Sequence, residues 1–371
     1  MPLLAGGLLE LPLGLLAGEG RRRRLAILGG GIIFVLTLLG VASARSFAVL
    51  MCSFVAFYPA SGAFVTLTQA EIMDAWPDRQ AKVMARWNLA GSTGAVAGPL
   101  LLTLVLASGG GWRVGYLVLA GVAALIWLGA YVRGPAGPSG PAANADADDA
   151  DGPEARSRAG RAREVLAALR DWETLRWLVL IEVADLLVDV FTGFLALYLV
   201  DVANLPPAVA ALAIAIRLGA ALAGDAAVVV LLERAGDLAV LRASAVAAAL
   251  AYPGFLFVPG IVPKLVILAA LSAATAPWYP LLQARLYGSL PGRSSVAVTL
   301  SSAAGLAGGL GPLAVGLTAQ GFGLSWALTG LVVVPVVVLL VPGAAGSGGG
   351  GSTRPVREKN GRRGVAGRPR E

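Results

Sequence analysis

Pro77–Pro99, PDRQAKVMARWNLAGSTGAVAGP, and Pro291–Pro312, PGRSSVAVTLSSAAGLAGGLGP, follow one plan. Each opens on Pro-x-Arg, runs into a stretch without charge (from Trp87 in the first and from Ser294 in the second), and closes on spaced glycines before a Gly-Pro pair. The glycines are Gly91, Gly94 and Gly98 before Pro99, and Gly305, Gly308 and Gly311 before Pro312. Working outward, Tyr58–Pro59 is echoed by Tyr279–Pro280, and Gly20 beside Arg21–Arg24 is echoed by Gly236 beside Glu233–Arg234. The offsets are 214 for the arginines, 213 for the Gly-Pro pairs, 221 for Tyr-Pro and 216 for the glycines. Matches in order at nearly one offset mark two parallel copies of a single unit.

The unit is built for lipid. The 371 residues are 57% hydrophobic and 14% charged, with a mean hydropathy of +0.76. A soluble domain would carry more charge than this. Uncharged runs from Leu25 to Ala44, Ser46 to Ala70, Trp87 to Trp112, Val114 to Val132, Ala243 to Pro263 and Leu265 to Ala284 meet the roughly 20 apolar residues that a spanning helix needs. Alternating ten-residue strands are absent, which disfavours a β-barrel. The expected fold is all-α and polytopic, with spans near 3–18, 25–44, 46–70, 87–108, 113–132, 176–200, 207–232, 239–259, 264–286, 295–318 and 324–342. Two parallel-related bundles follow, of five and six spans, with six and six inferred for a full-length form.

With these spans, 25 of the 29 lysines and arginines fall in loops on one side. Arg45, Arg113 and Lys264 fall on the other, and Arg217 inside a span. The basic side is therefore expected to be cytoplasmic, in the cell (inner) membrane. Residues 1–133 are read as an N-terminal bundle and 176–342 as a C-terminal one. Residues 134–175 form a linker, rich in Gly, Pro, Ala and Asp, in which Val165, Leu166, Leu169 and Trp172 recur at amphipathic helical spacing. Residues 343–371 are a Gly-rich basic tail, expected to be disordered and cytoplasmic.

Composition also closes off chemistry. There is no histidine, so His-based metal sites and proton relays are excluded and carboxylates are left as proton carriers. The one cysteine, Cys52, permits no intramolecular disulfide. No GxxxxGK[ST] loop occurs. No nucleophile–base constellation stands out, so an enzyme is not expected, nor a cofactor, a metal or a nucleic-acid partner. The expected partners are the bilayer, a small-molecule substrate and protons, and the expected state is a monomer.

The repeat and its loops resemble the major facilitator superfamily, whose two halves are parallel six-span units. The family's signature G-x-x-x-D-(R/K)-x-G-R-R is met by Gly14, Arg22 and Arg23. Gly18 stands in place of the acid, Glu19 in place of the base, and the glycine is displaced to Gly20. The second copy keeps Glu233–Arg234–Ala235–Gly236. The G-x-x-x-G-P core of the family's antiporters is matched by Gly94, Gly98 and Pro99, with Leu102 and Thr103 in place of its trailing glycines. The family's fourth-helix arginine is missing. The resemblance implies a secondary transporter that rocks around a central site, and the Gly-Pro core implies proton-coupled export of a small organic solute. A non-transporting or truncated membrane protein is the alternative.

Ionisable groups at membrane depth are costly, so each is a candidate. Glu182, Asp185 and Asp189 fall within roughly 60° of one another on an α-helix. They line either a helix contact or a water-filled cavity, and the resemblance implies the cavity. Arg217, about ten residues into its span, sits near ~15 Å depth and is expected to pair with Asp185 or Asp189. These four are the ion-coupling candidates. Glu10 and Asp225, offset by 215, are expected to brace the basic-side loops with Arg22, Arg23, Glu233 and Arg234. Tyr58, Trp278, Tyr279 and Gln283 are candidates for a substrate surface. Gly94, Gly98, Pro99, Gly311 and Pro312 are assigned to close helix packing and bends.

The repeat offset carries one further expectation. The span at 176–200 maps to about −40 to −16 in the first copy, so the sequence is expected to start inside its own second helix, its first helix lying upstream of Met1.

Overall fold

The computed structural model describes residues 21–134 and 158–340. Among the described residues every regular element is helical. In chain order they are α1 Arg21–Ser43, α2 Phe47–Ala75, α3 Gln80–Ala107, α4 Trp112–Arg133 and α5 Arg158–Arg170. Then follow α6 over residues 172–202, α7 Pro207–Arg234, α8 Asp237–Phe257, α9 Ile261–Ser289, α10 Ser294–Phe322 and α11 Leu324–Leu340. Among the described residues, eight of these are long and apolar enough to cross a bilayer, namely α1 to α4 and α7 to α10. Helix α6 is as long but carries Glu182, Asp185 and Asp189, and α11 is a shorter apolar helix. The expected span at 3–18, most of the linker and the tail lie outside the described residues.

The repeat is visible in the helix bounds. Helices α2 and α9 begin 214 residues apart and end 214 apart. Their interruptions match as well. Helix α2 passes through a π-helical turn at Gly62–Thr66, and the α-helix of α9 stops at Thr275 and restarts at Trp278. This register places Val65 opposite Tyr279, so the Tyr-Pro echo at offset 221 is one heptad out of structural register. Seven residues bring a helix back to nearly the same face, which is why the echo looked faithful.

In lipid there is no hydrophobic force between helices, so they meet through small residues and a few polar bonds. At Gly31 in α1 a Cβ would collide with Trp127 of α4 and Phe64 of α2, and Trp127 donates from Nε1 to the Leu28 carbonyl at 2.9 Å. In the second copy a Cβ at Gly224 of α7 would meet Ala273 and Ala276 of α9 at 2.8 Å. Helices α6 and α8 are pinned by aromatic contacts, Phe191 to Tyr252 at 5.4 Å and to Phe255 at 5.3 Å. Buried Lys264 donates to the Phe255 carbonyl at 2.7 Å, satisfying the last turn of α8. In helix α5 Ala168 is buried, while Leu166 and Leu169, two of the residues expected on its apolar face, are exposed.

Candidate functional site

A cavity of about 320 Å³ lies where the two copies face each other. From the first copy it is lined by Asn88 and Ser92 of α3. From the second it takes Asp185 and Asp189 of α6, Arg217 and Asp225 of α7, and Ser272, Thr275 and Tyr279 of α9.

The backbone of α6 positions its acids. Residues Leu186–Val190 form a π-helical turn. A π turn closes i→i+5 bonds, so it advances less angle per residue than an α turn. That swings Asp189 away from Glu182, which an unbroken α-helix would have kept close to its face. Glu182 is correspondingly turned toward α10, where a Cβ at Gly308 would collide with its carboxylate, and it does not line the cavity. Of the three predicted acids, the structure brings two to the site.

The π turn also supplies the partner of Arg217. Its Nη2 donates to the Val188 carbonyl at 2.9 Å, and the Thr192 hydroxyl donates to the same oxygen. The expected direct ion pair between Arg217 and Asp185 or Asp189 is thus replaced by a bond to the backbone. Asp189 stays within electrostatic reach of the guanidinium. Asp185 lies within reach of both Asp189 and Glu182. Among the described residues the charged groups that line the cavity are Asp185, Asp189, Asp225 and Arg217, and the other polar side chains there are neutral.

Asp225 departs from expectation. It was expected to brace the loop of its own half; instead it accepts from Asn88 Nδ2 at 2.8 Å and from the Ser92 hydroxyl, both in the other half. Nearer the end with the basic loops, Arg23 binds Asp74 at 2.7 Å, and the Ser294 hydroxyl of α10 donates to the same carboxylate oxygen. Arg86 and Glu233 approach to only 4.0 Å and are both exposed, which leaves them mostly screened. Arg22 and Arg234 are exposed, and Glu10 lies outside the described residues. Of the signature arginines, it is Arg23 that is buried and bonded.

The predicted substrate surface divides. Tyr279 lines the cavity. Trp278, one position and about 100° away, is fully buried against α8 and donates to Ser244 Oγ at 3.0 Å. Gln283 is buried one turn further toward the basic end, with Nε2 3.4 Å from Ser301 Oγ of α10. Tyr58 is half-buried and does not line the cavity. Gly311 is tightly packed, since a Cβ there would collide with Leu186. Gly94 and Gly98 are not: among the described residues a Cβ at either meets nothing within 4 Å.

Asn88, Ser92, Asp74, Ser294 and Thr275 were not anticipated. Asn88 and Ser92 did leave a signal, because polar residues at i and i+4 in an apolar run share one helix face.

The profile of the Major Facilitator Superfamily matches residues 1–312. Among curated proteins none matches the sequence. Among solved structures the chain is similar to the E. coli transporter FucP in the outward conformation, with a TM-score of 0.73 and 15% identity over 92% of this chain and 87% of that one. It is similar to the proton:xylose symporter XylE, with a TM-score of 0.70 and 13% identity over 93% and 84%. The human organic anion transporter MFSD10 gives a TM-score of 0.62 and 17% identity over 91% and 82%. A profile covering most of the chain and a shared fold agree: the chain belongs to the Major Facilitator Superfamily.

Proposed function

We propose that this chain is a secondary active transporter that moves a small polar organic solute by alternating access, with protons as the coupling ion. The observation that carries this reading is one cavity, bordered by both halves, that holds Asp185, Asp189 and Arg217 at membrane depth. Such groups are expensive in a bilayer and mark ion and substrate pathways. The neutral lining of Asn88, Ser92, Ser272, Thr275 and Tyr279 suits hydroxyl and amine groups of a cargo. Asp189 carries the proton, and Arg217 sets its affinity through space. Export is the favoured direction, from the Gly94, Gly98 and Pro99 core. The basic loops and the tail face the cytoplasm, so a reporter that works only outside the cell, fused after Arg370, stays dark.

Expression in a sensitive host challenged with a panel of toxic amines and polyhydroxylated solutes tests for transport, and protection identifies the cargo. The coupling is then read in vesicles with an imposed pH gradient. Asp189→Asn abolishes proton-driven movement while the protein keeps its monodisperse profile. Wild-type movement by that variant overturns the assignment of Asp189.

A further inference from the structure

The side-chain bonds that join the two halves have an interior member, and it lies on the wall of the cavity itself. Asp225 of α7 is 4% exposed. One carboxylate oxygen takes the Asn88 amide at 2.8 Å, and the other takes the Ser92 hydroxyl. Both donors stand on one face of α3, in the opposite half. The same carboxylate borders the cavity, eight residues and so about 12 Å nearer the basic end than Arg217. Both partners of Asp225 are neutral. Its charge is thus held by two hydrogen bonds across the line where the halves must part.

We infer that Asp225, with Asn88 and Ser92, is the latch that keeps the basic end of the cavity shut, and that opening toward that side requires the carboxylate to exchange these two donors for water or for a cationic group in the cavity. The inference rests on the alternating-access reading. Any movement that draws α3 from α7 at this depth breaks both bonds together, because the donors are one turn apart on the same rigid helix. It also uncovers a carboxylate that now hides from water. The rim pair Arg86–Glu233 cannot serve in its place, being exposed and 4.0 Å apart. The bond from Ser294 to Asp74 closes a separate seam, between α10 and α2. Asp225 differs from both in touching the cavity. What enters the site therefore acts on the latch directly.

The test uses the full chain in vesicles of both orientations. Cys52→Ser removes the native thiol, and Thr275→Cys places a reporter on the cavity wall, read by a membrane-impermeant charged maleimide. In the parent, the reporter reacts from the face away from the basic loops. Losing a hydrogen bond to a charged group moves such an equilibrium by about tenfold, so Asp225→Ala raises labelling from the basic face by about that factor and lowers it from the other. Asn88→Ala with Ser92→Ala gives the same shift without touching the carboxylate. The reciprocal exchange, Asp225→Asn with Asn88→Asp, restores an amide–carboxylate bond and returns labelling to the parent pattern, which a folding defect would not do. Unchanged labelling in monodisperse Asp225→Ala and in the double alanine variant overturns the latch, as does failure of the exchange to restore it. A cavity reporter that reacts from one face alone, in the parent and in every variant that breaks these bonds, overturns the alternating-access reading itself, and the latch with it.

Discussion

The two halves share a helical frame and divide the chemistry unequally. Helices α2 and α9 superpose in register, 214 residues apart at both ends and at their interruptions. Yet α9 brings Ser272, Thr275 and Tyr279 to the cavity, and the equivalent positions on α2, Tyr58, Ser61 and Val65, do not line it. Across the whole site the first half offers neutral donors, Asn88 and Ser92. Among the described residues, the second half supplies every charge that lines the cavity: Asp185, Asp189, Arg217 and Asp225. Repetition sets where helices start and stop; it does not set what they carry. Function sits in residues placed on the frame.

The sharpest way to break this comparison is to unbalance the charged half. Arg217→Gln leaves Val188 with a weaker donor and removes the one cation that lines the cavity among the described residues, so the protein loses on the order of 2 kcal/mol of stability. Thermal unfolding in detergent reads the loss. Adding Asp189→Asn recovers part of it, because the second change removes a carboxylate that the first left uncompensated. If the double variant is no more stable than Arg217→Gln, the guanidinium serves the Val188 carbonyl alone and the charged half is less coupled than its layout implies.

The glycines test the frame. A Cβ at Gly311 would collide with Leu186 in the π turn of α6, so Gly311→Val costs about 1–3 kcal/mol. Its counterpart Gly98 meets nothing within 4 Å among the described residues, so Gly98→Val stays within about 0.5 kcal/mol of the parent. Equal melting shifts would mean that the halves pack alike here. The same contrast holds between neighbours: Arg23→Ala, which strips Asp74 of its 2.7 Å partner, costs about 1–2 kcal/mol, and Arg22→Ala, on the exposed side, costs almost nothing.

These contrasts show what sequence can carry. Most of the described spans were legible because their apolar runs end at charge, while α10 and α11 share one uncharged run and part at Gly323. Asp185, Asp189, Arg217 and Tyr279, which line the cavity, were legible as candidates because polar groups inside such runs are rare. The π turn at Leu186–Val190 was not, since i→i+5 closure leaves no mark in residue type, and with it went the separation of Glu182 and the true partner of Arg217. Trp278 and Gln283 were assigned to the cavity because polar groups near Tyr279 on one helix look alike until the neighbouring helices are known. Asp74 was missed for a related reason. An acid at a helix end reads as solvated until the second half arrives with Ser294.

The division between a neutral and a charged half reaches even the helix caps, where the effect is smallest. Helix α2 begins at Ser46, whose hydroxyl accepts from the Val49 amide at 3.4 Å. Helix α6 begins at Asp171, whose carboxylate accepts from the Thr174 amide at 3.1 Å and from its hydroxyl at 2.8 Å. Those bonds, the hydroxyl foremost, hold the Asp171 carboxyl below its ordinary value of 3.8. A group whose folded value is depressed stabilises the fold above its unfolded value and loses that contribution as pH falls through the folded one. The first turn of α6 therefore loosens as pH drops below about 4, and the first turn of α2, with its uncharged cap, does not. The group is largely in water, so the change is a few tenths of a kcal/mol. Amide exchange at Thr174 and Val49 between pH 5 and pH 3, corrected for intrinsic rates, reads the two caps side by side. Asp171→Asn keeps an acceptor at every pH, and it should flatten the Thr174 profile to match that of Val49. A Thr174 profile that stays as steep in Asp171→Asn would place the titrating group elsewhere and remove the caps from the comparison.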